Sequence, residues 1–124
     1  MVAGGYLNSL RNDKRIVLPF PPASLSGHNK GSWHGKSGTV AKHRLWAMNA
    51  TLAAGIGPLP DGDIRVSITF TPPDRRGDRL NFANRAKPYF DGIADALKVN
   101  DSRFLPTYHF AEPCKPGGVV VEIG

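Results

Sequence analysis

Cysteine is nearly absent. Cys114 stands alone among 124 residues, so no intrachain bridge can form and a disulfide-stapled scaffold is excluded. No apolar run approaches the ~20 residues that a helix needs to cross a bilayer. The opening Met-Val-Ala-Gly-Gly-Tyr lacks the charged-then-apolar pattern of a signal peptide. These absences predict a protein of the reducing cytoplasm with no membrane partner. Carboxylates are scarce too: ten Asp and Glu face sixteen Lys and Arg, a formal net charge of +6. With 40% hydrophobic residues there is material for one core, and the length suits one domain of about 100–150 residues. The division expected is a loose arm over 1–14 and a single domain over 15–124.

The basic residues are grouped. Arg11, Lys14 and Arg15 lie near the start, then Lys30, Lys36, Lys42 and Arg44, then Arg75, Arg76, Arg79, Arg85 and Lys87. Such a surplus on a small domain favours a polyanion, because each neutralised phosphate releases condensed counterions. Nucleic acid is the first expectation; anionic membranes and acidic proteins fit the charge alone as well.

Hydrophobic patterning predicts an α/β fold. Ile16–Leu18 reads as a short strand stopped by Pro19, Pro21 and Pro22, which lack a ladder donor. Residues 23–38 read as a long basic loop. Thr39 is placed to cap a helix ending at Ala54, with Gly55 as its left-handed stop and Ala41, Leu45, Met48 and Leu52 as its apolar stripe. Ile64–Phe70 alternates strictly, as a half-buried strand does. A second helix is predicted from about Asn84 to Leu97, beginning in earnest near Lys87 because Pro88 is tolerated only in a first turn. Phe104–Phe110 and Val119–Ile123 close the chain as strands. The order is β-α-β-α-β-β, a small mixed sheet with two helices on one face.

The acids fall among the bases. Asp74 and Asp78 follow the alternating strand, Asp101 lies beyond the second helix, and Asn84, Lys87, Asp91 and Asp95 share about 80° of that helix. Mg2+ takes hard oxygen ligands, commonly one or two carboxylates plus water and substrate phosphate. Converging carboxylates ringed by Lys and Arg would suit phosphodiester hydrolysis, in which a metal activates water and a lysine offsets charge on the leaving oxygen. The competing reading is that Asp91 and Asp95 merely solvate a helix face.

Three stretches go further: the run from Pro72 to Asn81, Lys87-Pro88-Tyr89-Phe90-Asp91-Gly92-Ile93-Ala94-Asp95-Ala96-Leu97, and Asn100-Asp101-Ser102. Together with the opening Leu18-Pro19-Phe20-Pro21-Pro22, they resemble the RusA family of Holliday-junction resolvases, small Mg-dependent endonucleases of bacteria and prophages. The resemblance runs from about Ile16 to the last strand. It implies a homodimer that binds four-way DNA in recombination and repair and nicks symmetric strands, with Mg2+ as cofactor and Mn2+ as a substitute.

The family motif before the helix is Asp-x-Asp-Asn, both acids being metal ligands. Matched to Asp78-Arg79-Leu80-Asn81, it carries over Asp78 and Asn81 and leaves Leu80 in place of the second acid. A second register, matching Asn84 and Lys87, puts Asn81 and Ala83 at the acid positions and retains neither; the first is preferred here. The resemblance then implies a catalytic set of Asp78, Lys87, Asp91 and Asp101, with Asp78, Asp91 and Asp101 on the metal. Lys30, Lys36, Arg75, Arg76, Arg79, Asn81 and Arg85 would contact DNA. The missing ligand leaves open a branched-DNA-binding protein that does not cut.

Two weaker signals point elsewhere. Gly31-Ser32-Trp33-His34-Gly35-Lys36-Ser37 is one residue short of a phosphate-binding P-loop and follows no strand; a flap over DNA phosphates is the preferred reading. His28, His34, His43 and His109 match no zinc spacing, so they are expected at the surface or on DNA. Trp33 is placed to stack on an unpaired base and Trp46 to pack at the helix edge or a dimer contact.

Overall fold

The structure, a computed structural model, describes residues 14–25 and 33–124, and of residues 33–36 the backbone alone. The expected N-terminal arm up to residue 13, Lys30 and residues 26–32 of the basic loop lie outside the described residues. The strands are β1 (Arg15–Leu18), β2 (Ile64–Thr71), β3 (Phe104–Phe110) and β4 (Gly118–Ile123). Each falls within one residue of where alternation and proline breaks place it. Their spatial order is β1-β4-β2-β3, with β4 antiparallel to both neighbours and β2 parallel to β3. A parallel pair cannot be closed by a hairpin, so the chain between β2 and β3 must cross over, and it does so as helix.

Sheet register explains which face is covered. Ile16 pairs with Val121, Leu18 with Val119, Ile68 with Val121 and Phe70 with Val119, so these side chains share a face, and all are buried. Arg15, Arg65 and Glu122 lie on the other face and are exposed. The sheet therefore has one packed and one open side, the usual solution for a mixed sheet with helices on one face.

The helices are α1 (Trp33–Ala54), α2 (Arg79–Arg85) and α3 (Lys87–Leu97). The second expected helix is thus two segments, and the order is β-α-β-α-α-β-β. Pro88 is the cause. It has no N–H for the carbonyl of Asn84, and its ring would strike that carbonyl in a continuous helix. The chain breaks at Ala86, whose N–H reaches Phe82 O and Ala83 O at 3.2 Å, and restarts with the proline in the first turn of α3.

The first helix corrects the sequence reading twice. It begins at Trp33, so residues 33–38 of the expected loop are helical and Thr39 is interior rather than a cap; its carbonyl accepts from His43 Nδ1 at 2.7 Å. Gly55 does provide the left-handed stop, at φ 63°. The buried face carries His43, Ala47 and Thr51, while Ala41, Leu45 and Leu52 are exposed, Leu52 by 60%. The expected stripe points roughly 130° away from the core at 100° per residue. His43, expected at the surface, is instead buried among Tyr89 and Trp46, with ring centroids 5.6 and 4.7 Å away. Trp46 packs at the helix edge as expected, under the Lys42 ammonium.

Small residues face inward on α1 because α3 crosses it closely. A Cβ on Gly92 would lie 2.1 Å from the carbonyl oxygen of Arg44 and 2.9 Å from the Ala47 methyl. A side chain there meets backbone, which cannot rotate aside. Tyr89, on the same helix, donates its hydroxyl to Pro19 O at 2.7 Å and so ties α3 to the proline run after β1. Burial pushes that phenol up to about 12.

Gly92→Ala gains ~1 kcal/mol of helix propensity but must separate two helices, for a net loss of about 2 kcal/mol. Gly38→Ala, in the same fold but with nothing within 4 Å of its would-be Cβ, gains about 0.5–1 kcal/mol in the same urea titration. The raised Tyr89 pKa stabilises the fold fully below the unfolded value near 10 and progressively less as pH climbs towards 12. Tyr89→Phe should therefore unfold at lower urea than the parent at pH 7, and that gap should close between pH 10 and 12.

Candidate active site

Lys87 opens α3, and Asp91 lies one turn along on the same side, with Nζ 2.6 Å from Oδ1. The same ammonium donates to Asp101 Oδ2. Two carboxylates from separate elements thus converge on one cation. The hydrogen bond from Lys87 holds the Asp101 carboxyl below the usual carboxylate range, followed by contact with the Asp91 side chain, the Lys87 charge and the more distant Arg44. In return Asp101, then Asp91, pushes the Lys87 ammonium above its ordinary value.

Asp101 is held in place from both sides. It begins a 3-10 turn, Asp101–Arg103, capped by the Asn100 side chain, which accepts from Ser102 N at 2.9 Å. Arg103 then reaches back across the fold, donating to Gly62 O at 2.9 Å and Pro60 O at 2.7 Å. The turn before β2 and the turn before β3 are locked together, which fixes the reach of Asp101 towards α3. Neither Arg103 nor Asn100 is marked by the sequence as a positioning residue.

Arg44 is the other addition. Its guanidinium makes a two-pronged pair with Asp95, at 2.6 and 2.9 Å, and it lines one cleft with Asp91, Asn100 and Asp101. That pair holds the Asp95 carboxyl below its usual range. The signal for it was Gly92 itself: a glycine inside a helix marks a close crossing, and acids at the flanking positions 91 and 95 call for a base on the helix that crosses.

Asp78 is not brought to this cluster. Its side chain caps α2, accepting from Leu80 N at 2.9 Å, and α2 separates it from Lys87 by about 10 Å of helix axis. It lines a different cavity, of about 510 Å³, with Arg75, Arg76 and Arg79. Among the described residues, no group of three or more His, Cys, Asp or Glu stands close enough to hold a metal ion. Leu80 is 85% exposed, whereas Ala83 and Asn84 line a groove with Lys87 and Asp91. Ala83 and Asn84, rather than Leu80, are therefore the α2 residues that face the Lys87 groove. Asn81 itself is half-buried in the first turn of α2, its N–H donating to Asp78 O at 2.9 Å.

The expected DNA-contacting arginines form a second region. Asp74 organises the loop, accepting from Arg76 N at 2.9 Å and from its guanidinium at 2.7 and 3.1 Å. Arg75 meets Glu112 at 3.4 Å with both side chains about 80% solvent-exposed, so that pair contributes little to stability. Arg85 lies over the Phe82 ring, 5.1 Å from its centroid. Lys36 falls on the first turns of α1, where only the backbone is described. Among the described residues, no helix is long and apolar enough to cross a membrane.

No family model matches the chain. A protein of Xylella fastidiosa (strain Temecula1 / ATCC 700964), described as an uncharacterized protein, is 34% identical over 124 residues, which span 97% of this chain and 81% of that one.

The Lys87 cluster predicts a titration. Its stabilising effect through Asp101 is present above the unfolded carboxylate value near 3.9 and is lost as pH falls through the lower folded value. In Lys87→Met the two carboxylates face each other without their cation, and the Asp101 midpoint, followed by carboxyl-carbon NMR, should move upward. An unchanged midpoint would mean that the lysine does not set it.

Proposed function

We propose that the chain, which belongs to the same family as the uncharacterized Xylella fastidiosa protein, is a divalent-cation-dependent endodeoxyribonuclease acting on branched DNA, with its centre at Asp91, Asp101 and Lys87. One observation carries the proposal: Asp91 and Asp101 converge on a single cation, the Lys87 ammonium. Two partly exposed carboxylates suit Mg2+ or Mn2+, which keep several waters and take substrate phosphate oxygen for the rest. When bound there, such an ion supplies charge neutralisation at the scissile phosphate and an acidified water. With an ion held by the two acids, Lys87 would be free to offset charge on the departing oxygen. Arg44 holds Asp95 away from that exchange and adds positive potential behind Asp91 and Asp101. Asn84 offers an amide to the substrate from the adjoining groove, and Arg75, Arg76 and Arg79 grip the backbone outside it. Junction resolution by a homodimer in recombination and repair is the biological form of this reading.

A second reading, binding of branched DNA without cleavage, is favoured by the commitment of Asp78 to the α2 cap and by Ala83 at the position that faces the site. A synthetic four-way junction incubated with Mg2+ or Mn2+ separates the two. On the nuclease reading the parent nicks it, and Asp101→Asn loses at least about a hundredfold in rate, the scale of one electrostatic group at a reacting phosphate, while its binding is kept. Tight binding with no nicking by the parent selects the second reading. In that case Ala83→Asp, which adds a carboxylate beside Lys87, is the variant expected to gain cleavage, and Leu80→Asp, pointing to solvent, is not.

A further inference from the structure

Edge strand β3 exposes aromatic surface that the fold does not need to expose. Tyr108 and Phe110 follow each other at i and i+2, 40% and 44% exposed. Register with Ile68 and Phe70 turns both rings to the packed side of the sheet. Each is backed by the buried Phe70 ring and lies nearly parallel to it, at 19° and 6.4 Å for Tyr108 and at 16° and 5.7 Å for Phe110. Phe82 supports Phe110 from a third side, at 6.3 Å. The rings are therefore held in fixed planes with part of each open to solvent.

What flanks them decides the occupant. Tyr108 lines the groove of about 590 Å³ that also holds Asn84, Lys87 and Asp91. On the other side, Phe82 lines the cavity of Arg75, Arg76 and Arg79. An apolar protein partner would cover the rings and gain nothing from the flanking guanidinium groups. A paired duplex keeps its base faces inside the stack. An unpaired nucleotide brings both a π-face and a phosphate, and so matches the rings and the charge together.

We propose that Tyr108 and Phe110 form a stacking platform for unpaired nucleobases, placed between the Lys87 centre and the arginine loop. The proposal rests on the nucleic-acid half of the reading above and is independent of cleavage. It makes the splayed strand, rather than the duplex arm, the part of a branched substrate that enters beside Lys87.

Fluorescence anisotropy in EDTA with three labelled probes, oligo(dT), a blunt duplex and a four-way junction, tests it. Tyr108→Ala should weaken oligo(dT) binding about tenfold, in the range expected for one stacked base, and leave duplex binding unchanged. Tyr108→Phe should bind as the parent does. Tyr108→Leu keeps apolar bulk against Phe70 without a π-face and should lose affinity as the alanine variant does, which separates stacking from packing. Parent-like oligo(dT) binding by Tyr108→Leu overturns the platform, as does an equal loss on duplex. So does sedimentation showing that Tyr108→Ala splits a dimer with all DNA affinities kept, which would make the edge an interface between copies. Failure of the parent to bind any of the three probes overturns the nucleic-acid reading itself; loss of the Tyr108 effect alone overturns only the platform.

Discussion

The close crossing of α1 and α3 at Gly92 is the constraint on which the rest depends. Because residue 92 has no side chain, the Arg44 carbonyl and the Ala47 methyl can sit against the α3 backbone. That contact sets the rotation of both helices. It puts Arg44 within a two-pronged hydrogen bond of Asp95 and turns Asp91 towards the same cleft. It also dictates a buried face of small and polar residues on α1, where Thr51 meets its own hydrogen-bonding need by donating to Ala47 O at 2.7 Å. A larger residue at 92 would act on the site as well as on the core, since both hang from one interhelical distance.

The charged cluster at Lys87 is not explained by stability. Its pairs are partly solvated, and such pairs contribute about 0–1 kcal/mol each. Against that small gain, two carboxylates are held close together, which is unfavourable without the ammonium between them. The Asn100 cap and the Arg103 tether fix Asp101 in this position. An arrangement that contributes little to folding yet is braced from two directions is what a site with work to do requires.

Strands were legible in the sequence because period-two alternation and proline breaks are local signals, and β2 carries both. The helices were less so. On α1 the largest apolar residues point outward, so a stripe of Leu45, Met48 and Leu52 is a misleading guide when the inward face is chosen by helix approach rather than by hydrophobicity. Pro88 marked the start of α3, yet the break it forces at Ala86 leaves room for a separate α2, and that segment changes which residues can reach Lys87. The family resemblance put Asp78 with the lysine; the intervening helix sets Ala83 and Asn84 beside it instead. Lys87, Asp91 and Asp101 were readable because a helical period and a short turn join them. Arg44, Arg103 and Tyr108 were not, because each reaches the region through a tertiary contact.

The distribution of charge gives the site its logic. The chain carries a surplus of six positive charges, a balance that would favour a polyanionic partner. Among the described residues, however, Asp91, Asp95 and Asp101 pair with Arg44 and Lys87, three acids against two bases, so the centre is locally anionic there. On the proposed nuclease reading, a phosphate held by the outer arginines would be attracted to the domain and repelled from its centre unless an added cation bridged the two. Close approach of the scissile group and occupancy by a divalent ion would then be one coupled event, with the polyanion and the ion each raising the affinity for the other. The aromatic edge at Tyr108 sits beside that centre and carries no charge, so on the proposed reading it would admit a base where a phosphate alone would be repelled.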